Sequence, residues 1–331
     1  MGTAVIGAGS WGTALAMQLA RAGNGVHLWC RDAATAERMR ESRQNEKYLK
    51  GFPFPLPLTP TSDLEEAVRK GGSLLVCAVP SHAARETMAE VRRWLAPDTI
   101  VVSATKGIEE GTSLRMTEVV RETTGCGKRA SALSGPSFAK EVAAEMPTAV
   151  TIAAEDEGVA VAAQKAFASP MFRPYVATDV IGCEIGGAVK NVIAVAAGVC
   201  DGLGLGHNTR AGLITRGLAE VNRLAVALGA DPRTVNGLSG MGDLVLTCTG
   251  DLSRNRSVGL RLGKGEKLDE ILGSMNQVAE GVRNTVAVGE MARAHGIDMP
   301  ITAEMHRLLF EGKSPREAMI DLMTRSLKAE F

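Results

Sequence analysis

The strongest constraint on this chain is a glycine pattern near its N-terminus, Gly7-Ala-Gly9-Ser-Trp-Gly12. A short apolar run at residues 3–6 precedes it, and apolar residues at helical spacing follow it. In this strand–loop–helix setting the first glycine permits a tight turn, the second lets the backbone approach a pyrophosphate, and the third lets helix and strand pack closely. The helix N-terminus then faces the anion. The pattern therefore predicts a dinucleotide-binding unit.

The first half of the chain continues this alternation of strands and helices. Apolar runs typical of strands lie at residues 3–6, 26–30, 74–79, 100–104, 130–133 and 149–153. Such alternation predicts a parallel sheet covered by helices. The segment 51–60 contains four prolines, which exclude a helix or a central strand, so we expect an extended surface loop there.

Beyond Asp179 the strand pattern stops, and apolar residues recur at helical spacing through residues 184–198, 210–228, 278–295 and 302–328. A chain of 331 residues exceeds what one hydrophobic core usually organises. The predicted fold class is α/β. We expect a Rossmann-type doubly wound sheet in a dinucleotide-binding domain, residues 1–180, followed by an all-helical C-terminal domain for substrate binding and catalysis, residues 181–331.

Composition narrows the classes of function. The 37 basic and 37 acidic residues balance, so the chain has no global field for holding a nucleic-acid backbone. Six cysteines form no C-x-x-C pair, which favours buried free thiols over a metal site or a disulfide scaffold. The N-terminus lacks a basic region, and apolar stretches such as 192–197 are shorter than the ~18 residues that a membrane span requires. We expect a cytoplasmic protein without a membrane span.

The end of the second predicted strand bears on which dinucleotide is bound. Enzymes that use NAD often carry an acid there for the ribose hydroxyls. This chain has Arg31 followed by Asp32. Arg31 favours a 2′-phosphate and hence NADP, while Asp32 can serve NAD, or both can be ordinary loop charges. We expect dual use or a preference for NADP.

An alcohol dehydrogenation needs a base for the hydroxyl proton. The histidines have no orienting carboxylate nearby in sequence, although His207 lies in a glycine-rich, polar loop. Lys190 lies on an otherwise apolar helix, where desolvation lowers the pKa of an amine and can make it a base; the alternative is that its side chain reaches solvent. Lys106 follows a strand, and its charge would lower that pKa further. Asp243, among apolar residues and glycines, is placed to orient Lys190.

Two further loops suit an anion. Ser134-Gly135-Pro136-Ser137 follows a strand and offers hydroxyl and backbone donors. Ser253-Arg254-Asn255-Arg256 offers guanidinium groups next to helix-capping residue types. Either segment can also be a simple turn or cap. Together with the two lysines, they favour a phosphate-bearing substrate.

These motifs occur together, in one order, in a known family. The chain closely resembles the soluble NAD(P)-dependent glycerol-3-phosphate dehydrogenases of lipid biosynthesis over nearly its whole length. The resemblance rests on GAGSWGTALA at 7–16, ATKGIE at 104–109, SGPSFAKEVA at 134–143, KNVIAVAAG at 190–198, DGLGLGHNTRAGLITRGLAE at 201–220, GDLVLTCTG at 242–250, SRNR at 253–256 and VAEG at 278–281.

The resemblance implies hydride transfer between NADH or NADPH and dihydroxyacetone phosphate, giving sn-glycerol 3-phosphate for phospholipid synthesis, and a homodimer. It implies Lys190 as the proton donor and acceptor. It implies as substrate-binding residues Lys106, Gly135, Ser137, Asp243, Ser253, Arg254 and Asn255. It implies as cofactor-binding residues Gly7, Gly9, Ser10, Trp11, Gly12, Arg31, Lys106, Ala139, Arg254, Val278 and Glu280.

Two positions depart from the family pattern. Lys50 stands where many relatives have proline, and His207 stands at a position that is often acidic. Two other functions remain open: a different two-domain dehydrogenase with a catalytic lysine, of the 3-hydroxy acid or 6-phosphogluconate type, and a binding protein that senses the nicotinamide redox state without turnover.

Overall fold

The first half of the chain forms a layered sheet. The computed structural model describes residues 1–275, 279–327 and 329–330. Its strands are β1 (Gly2–Ile6), β2 (Gly25–Trp29), β3 (Gln44–Asn45), β4 (Leu49–Pro53), β5 (Leu58–Thr61), β6 (Leu74–Cys77), β7 (Ile100–Ser103), β8 (Ala130–Ser134), β9 (Thr148–Ala154) and β10 (Phe172–Ala177). All six predicted strands are present, so the alternation of short apolar runs identified them correctly.

Eight of these strands form one sheet in the order β10-β9-β8-β7-β6-β1-β2-β5. The helices between the strands are α1 (Ser10–Arg21), α2 (Ala33–Ser42), α3 (Leu64–Gly71), α4 (Ser81–Val91), α5 (Met116–Thr124), α6 (Ala139–Ala143) and α7 (Glu157–Phe167). The chain passes from β1 to β2 on one side and returns to β6 on the other. Strand order therefore reverses at β1, and ligands of such sheets bind at the carboxyl ends of the strands at this point.

The sheet departs from the predicted parallel arrangement at one place. Strands β8 and β9 are antiparallel, with Ala132 opposite Ala153, whereas the other neighbours in this sheet are parallel. The link between these two strands contains only the five-residue helix α6. The link spans residues 135–147, and α6 is shorter than the helix that usually crosses between parallel strands; the chain turns back along β8 instead.

The prediction of a surface loop at 51–60 was wrong in part. β4 pairs with β3 in a small antiparallel ribbon, and β5 adds to the edge of the main sheet beside β2. Phe54 and Leu58 are buried. The prolines are tolerated because an edge strand leaves one side of its backbone unpaired. The apolar pattern also did not predict β10, which contains a proline of its own and forms the other edge of the sheet.

The second half is helical, as predicted. Its helices are α8 (Val180–Gly202), α9 (Gly206–Ala227), α10 (Pro232–Val235), the π-helix Leu238–Gly242, α11 (Asp243–Thr249), α12 (Arg254–Gly263), α13 (Leu268–Gly273), α14 (Glu280–Ala294), α15 (Pro300–Phe310) and α16 (Pro315–Met323). The apolar stretch 302–328 is thus two helices, interrupted before Pro315. His207 lies in the first turn of α9 rather than in a loop, because α9 begins earlier than predicted.

Helix α8 is the centre of this half. Among the described residues it is the one helix long and apolar enough to cross a membrane, and 94% of its apolar window is buried inside the protein. Packing of α9, α11, α12 and α14 around it explains this burial. α8 is therefore a core helix.

Close packing of α12 against α8 depends on glycines in both helices. A Cβ on Gly198 would overlap the carbonyl oxygen of Arg256, and one on Gly259 would overlap that of Val195. Without side chains at these positions the two backbones approach directly. This seats the N-terminus of α12 beside the middle of α8.

Buried Glu220 connects α9 to α15. Its carboxylate accepts hydrogen bonds from the backbone N–H groups of Ile301 at 2.6 Å and Thr302 at 3.2 Å. Since α15 has no cap of its own, Glu220 satisfies N–H groups that a helix N-terminus leaves unpaired.

Candidate active site

The glycine loop adopts the shape that its pattern predicts. Gly7 has a φ of 115°, and a Cβ on it would lie 2.8 Å from the carbonyl oxygen of Ala78, just after β6. A Cβ on Gly12 would overlap the carbonyl oxygen of Gly7. Gly9 faces open space, and α1 begins after it without a side-chain cap. The loop and helix N-terminus thus form a cradle that fits a pyrophosphate.

At the end of β2 the two charged residues have different surroundings. The Asp32 carboxylate accepts a hydrogen bond from the backbone N–H of Thr35 at 2.8 Å and caps α2; the Thr35 hydroxyl donates to it as well. Arg31 is exposed and has no hydrogen bond or ion pair within the described part of the chain. Arg38 lies 3.9 Å from Asp32. Asp32 therefore serves the helix, and Arg31 is the side chain available to a ligand.

Two lysines from distant parts of the chain share one carboxylate. Lys190 Nζ, on α8, donates to Asp243 Oδ1 at 2.6 Å, and Lys106 Nζ, after β7, donates to Asp243 Oδ2 at 2.6 Å. Lys190 also donates to the hydroxyl of Thr247 at 2.8 Å. The side chains of Lys190 and Asp243 are 7% and 2% exposed. Lys190 is thus buried and paired, and its side chain does not reach solvent.

The electrostatics of this cluster suit proton transfer. Burial lowers the pKa of Lys190 to about 8. The nearby charge of Lys106 also lowers this pKa, whereas the negative charge of Asp243 raises it. Burial acts to raise the pKa of the Asp243 carboxyl, but the charges and hydrogen bonds of both lysines outweigh it and hold that pKa below its usual value. An amine with a pKa near physiological pH can both release and take up a proton.

The loops after β7 and β8 meet at Lys106. Lys106 Nζ donates to the carbonyl oxygen of Gly135 at 3.1 Å, and the hydroxyl of Ser137 donates to the same oxygen at 2.9 Å. Gly135 has a φ of 142°, and a Cβ on it would lie 2.9 Å from the backbone of Val150, so only glycine fits. Trp11 lies beside this group, with its ring centroid 5.9 Å from Lys106 Nζ.

The SRNR segment forms the start of α12. Ser253 caps the helix by accepting from the backbone N–H of Arg256 at 3.2 Å. Asn255 is buried between two helices: it donates to Asn191 Oδ1 at 2.8 Å and accepts from the backbone N–H of Gly281 at 2.9 Å. Both side chains are therefore engaged within the protein.

Arg254 differs from its neighbours. It is solvent-accessible, and it has no hydrogen bond or ion pair with any residue that the structure describes. The surrounding protein still removes enough water from its guanidinium to lower the pKa of that group, although the negative charge of Glu280 raises it. An unpaired, partly desolvated guanidinium of this kind suits an anion such as phosphate.

The predicted cofactor residues of the second half are only partly described. Val278 lies outside the described residues. The Glu280 carboxylate accepts from the hydroxyl of Ser81 at 2.7 Å and from its backbone N–H at 3.2 Å, so it caps α4, which has no cap of its own. Ala139 is the first residue of α6, which packs against α1. The Ser81–Glu280 hydrogen bonds join the two halves just after β6, where Ala78 packs against the glycine loop.

Comparison with known proteins decides which family these features belong to. The family model of the NAD-dependent glycerol-3-phosphate dehydrogenase N-terminus matches residues 2–160, and that of the C-terminus matches residues 179–320. The chain belongs to this family. Its resemblance to the family, expected from the motifs, is thereby confirmed.

Individual members of the family are similar over their full length. The glycerol-3-phosphate dehydrogenase (NAD(P)+) of Syntrophotalea carbinolica is 53% identical over 333 residues, covering 100% of both chains. That of Citrifermentans bemidjiense is 54% identical over 329 residues, covering 99% of this chain and 98% of the relative. The solved structure of a glycerol-3-phosphate dehydrogenase from Coxiella burnetii has a TM-score of 0.93 and 40% identity, with 98% of each chain covered.

The structure of this family member adds residues that no sequence pattern above had indicated. Thr247 lies one helical turn after Asp243 on α11, and that i, i+4 spacing was a signal that could have revealed it. Glu184, on α8, accepts from Arg115 at 2.9 Å and from the Thr117 hydroxyl at 2.6 Å, and burial raises the pKa of its carboxyl. No sequence pattern indicated this contact, which fastens α5 to the helix that carries Lys190.

The remaining titratable groups do not form a second centre. Among the residues that the structure describes, no three side chains of histidine, cysteine, aspartate or glutamate group together as metal ligands do. The six cysteines are free, and Cys30 and Cys200 are only half-buried, not fully buried as expected. His207 Nδ1 accepts a hydrogen bond from the Arg210 guanidinium at 2.8 Å on the surface of α9.

Proposed function

We propose that this chain is an NAD(P)-dependent glycerol-3-phosphate dehydrogenase that interconverts dihydroxyacetone phosphate and sn-glycerol 3-phosphate. The observation that carries the proposal is the pair of lysines held by one buried aspartate at the carboxyl ends of the sheet strands. Membership of the family and the names of close relatives support the same activity. The reaction acts on the CH–OH group at C2 and supplies glycerol phosphate for phospholipid synthesis.

Lys190 is the proposed proton donor and acceptor. A bound nicotinamide coenzyme would supply or accept the hydride. In the reducing direction, the Lys190 ammonium gives a proton to the C2 oxygen as that carbon gains the hydride, and the resulting amine then takes a proton from water. In the oxidising direction, the neutral amine removes the hydroxyl proton. Asp243 orients the amine and keeps its charged form accessible at neutral pH.

Lys106 and Arg254 have separate proposed roles toward the substrate. Lys106 is held between Asp243 and Gly135, and its charge would polarise the substrate oxygen and contact the coenzyme. Arg254 would bind the phosphate as an unpaired guanidinium. Ser137, Ser253 and Asn255 would complete the substrate site with Gly135, but their engaged side chains indicate that they act largely by fixing its walls.

The coenzyme would lie along the strand ends. The glycine loop and α1 fit the pyrophosphate; Ser10, Trp11, Ala139, Arg254, Val278 and Glu280 are the further residues proposed to contact the coenzyme. Because Asp32 is used as a helix cap, Arg31 is the better candidate for contacting the ribose end of the coenzyme. A guanidinium there favours a ribose with a 2′-phosphate, which supports NADPH over NADH. Both coenzymes remain substrates in this proposal.

Substrate specificity tests the proposal directly. Oxidation of NADPH is followed by its absorbance with dihydroxyacetone phosphate, and the reverse reaction is tested with glycerol 3-phosphate, a 3-hydroxy acid and 6-phosphogluconate. Turnover of glycerol 3-phosphate in preference to the other two is expected. Preference for another substrate would favour a different lysine-dependent dehydrogenase, and coenzyme binding without any turnover would favour a redox sensor.

A pair of variants tests the role of Lys190. Lys190→Met keeps the length of the side chain but removes its charge, and loss of a general acid costs about 10²–10⁴-fold in rate. Lys165→Met, at an exposed position on α7, is the matched control and should retain full activity. Near-normal turnover by Lys190→Met would remove Lys190 from the proposed role.

Three broader predictions accompany this function. We propose that residues 1–180 form the dinucleotide-binding domain and 181–331 the helical domain; the end of β10 at Ala177 and the start of α8 at Val180 support this division. We propose a cytoplasmic location. A homodimer is also proposed, and sedimentation of the purified protein tests it: a molar mass near that of one 34.7 kDa chain would contradict it.

A further inference from the structure

A small cavity, lined in part by Lys106, lies on the side of the sheet that α8 covers. Its volume is about 10 Å³, which is about the room that one water molecule needs. Its walls come from the ends of β7 and β8 and from the N-terminal half of α8. The lining residues that matter for what it binds are Ser103, Thr105, Lys106, Ser134, Glu184 and Gly187.

Two hydroxyl groups in this wall are buried without a partner. Ser103 is 2% exposed and Ser134 is 3% exposed, and neither hydroxyl oxygen has a hydrogen-bond partner among the described residues. The other polar groups of the wall are satisfied: Thr105 donates to the carbonyl of Val79 at 2.7 Å, and Glu184 is held by Arg115 and Thr117. Buried hydroxyls are almost always hydrogen-bonded to protein or to ordered water.

The strand register places both hydroxyls on one face. Ser103 is paired with Ala132 in the parallel ladder of β7 and β8, and Ser134 lies two residues further along β8. Residues two apart on a strand project to the same side of the sheet. Both serines therefore face α8. Gly187 provides the space there, because a Cβ on it would lie 2.7 Å from the hydroxyl of Ser134.

We propose that this cavity binds one ordered water molecule, which bridges the hydroxyls of Ser103 and Ser134 and thereby positions Lys106. The two serines are the last residues of β7 and β8. Lys106 follows Ser103 by three residues, and Gly135 follows Ser134 directly; these two loops then meet in the hydrogen bond from Lys106 Nζ to the Gly135 carbonyl. The water connects the ends of β7 and β8. The loops that follow these strands are connected by Lys106, which donates to Gly135 and to Asp243.

The water itself is tested without any assumption about activity. Ser103→Ala and Ser134→Ala each remove one of its partners and leave the other hydroxyl unsatisfied, so each variant should unfold at a lower denaturant concentration than the wild type. The double variant leaves an apolar wall with no unsatisfied group and should be no less stable than either single variant. Additive losses of stability would overturn the shared water.

Ser131→Ala is the matched control. Ser131 is on the same strand and is equally buried, but its hydroxyl lies 3.5 Å from the carbonyl of Val101 and it does not line the cavity. Its effect should add to that of Ser103→Ala. A high-resolution crystal structure of the wild type should show a single water between the Ser103 and Ser134 hydroxyls, and absence of density there would also overturn the proposal.

The positioning role rests on the proposed function. Displacing Lys106 should lower kcat/KM for dihydroxyacetone phosphate by about tenfold in Ser103→Ala, since small displacements of catalytic groups are costly. It should also move the pH inflection of kcat upward, because the Lys106 charge acts to lower the pKa of Lys190. If the stability losses are sub-additive but the kinetics are unchanged, the water is supported and its positioning of Lys106 is refuted. An inactive wild type would refute the proposed function instead.

Discussion

The hydroxyl of Thr247 offers a measurable control over the acid–base chemistry. It accepts a hydrogen bond from Lys190 Nζ at 2.8 Å inside a buried site. Thr247→Val keeps the shape of the side chain and removes that acceptor. Hydrogen bonds to charged groups contribute about 1.5–3 kcal/mol. The neutral amine also donates to this hydroxyl, so the substitution weakens both forms of Lys190. Only the difference between the two losses changes the pKa of Lys190. A differential loss of about 1.4 kcal/mol lowers the pKa of Lys190 by about one unit.

The consequence depends on the direction of the reaction. Reduction of the ketone needs the Lys190 ammonium, so its kcat should fall as pH rises through the pKa of about 8. Oxidation of the alcohol needs the amine, so its kcat should rise through the same pH. A pKa lowered by one unit reduces the protonated fraction at pH 8 from about one half to about one tenth. Thr247→Val should therefore reduce ketone about fivefold more slowly at that pH and nearly normally at acidic pH.

The assay is steady-state turnover of the coenzyme in both directions across this pH range, with saturating substrates. Thr249→Val is the control: Thr249 is exposed on the same helix, and its hydroxyl donates to the backbone carbonyl of Val245 at 2.8 Å without contacting a lysine. Its pH profile should match that of the wild type. If the inflection in Thr247→Val stays where the wild type has it, the hydrogen bond does not tune Lys190 and the reasoning is wrong.

Three further predictions concern binding and stability. Arg254→Ala should raise KM for dihydroxyacetone phosphate about tenfold or more with little change in kcat, because a charge-assisted contact of about 1.5–3 kcal/mol is lost; an unchanged KM would refute the phosphate assignment. Gly259→Ala should destabilise the fold by about 1–3 kcal/mol, because its Cβ would overlap the Val195 carbonyl. Gly289→Ala, with nothing near its Cβ, should instead stabilise the fold by about 0.5–1 kcal/mol. Thermal unfolding measures both variants, and equal shifts in Tm would contradict the packing argument. Burial raises the pKa of Glu220 from 4.5 to about 7, so the native state holds a proton that the unfolded chain releases, and stability should fall as pH rises through this window. Glu220→Gln should abolish that fall of about 3 kcal/mol, and urea midpoints at both ends of the window measure it.

The fold class followed from local patterns. Apolar runs of four to six residues and helical spacing reflect the period of each element, and that period is a local property of the chain. The places where prediction was wrong depend on distant contacts. Within the segment 51–60, β5 is a strand because β2 offers it an unpaired edge, and β9 runs antiparallel to β8 after a link whose helix, α6, has only five residues.

The sequence predicted a set of site residues but not the contacts between them. The resemblance to the family named Lys106, Lys190 and Asp243, and the apolar surroundings of Lys190 indicated a lowered pKa. Sequence left open whether Lys190 reached solvent, and it did not indicate Thr247. Those questions depend on which helices surround α8, and the glycines that let α12 approach it are not informative until both helices are placed.

By itself, the sequence determined that a glycine loop joins a strand to a helix, because tight turns and close backbone approach require glycine at fixed positions. Only the tertiary structure decided what the charged residues do. Asp32 became a helix cap, Glu280 capped a helix 199 residues away in sequence, and one carboxylate came to serve two lysines. The physical reason is that a charge is buried only where a partner meets it, and the partner is chosen by packing between distant elements.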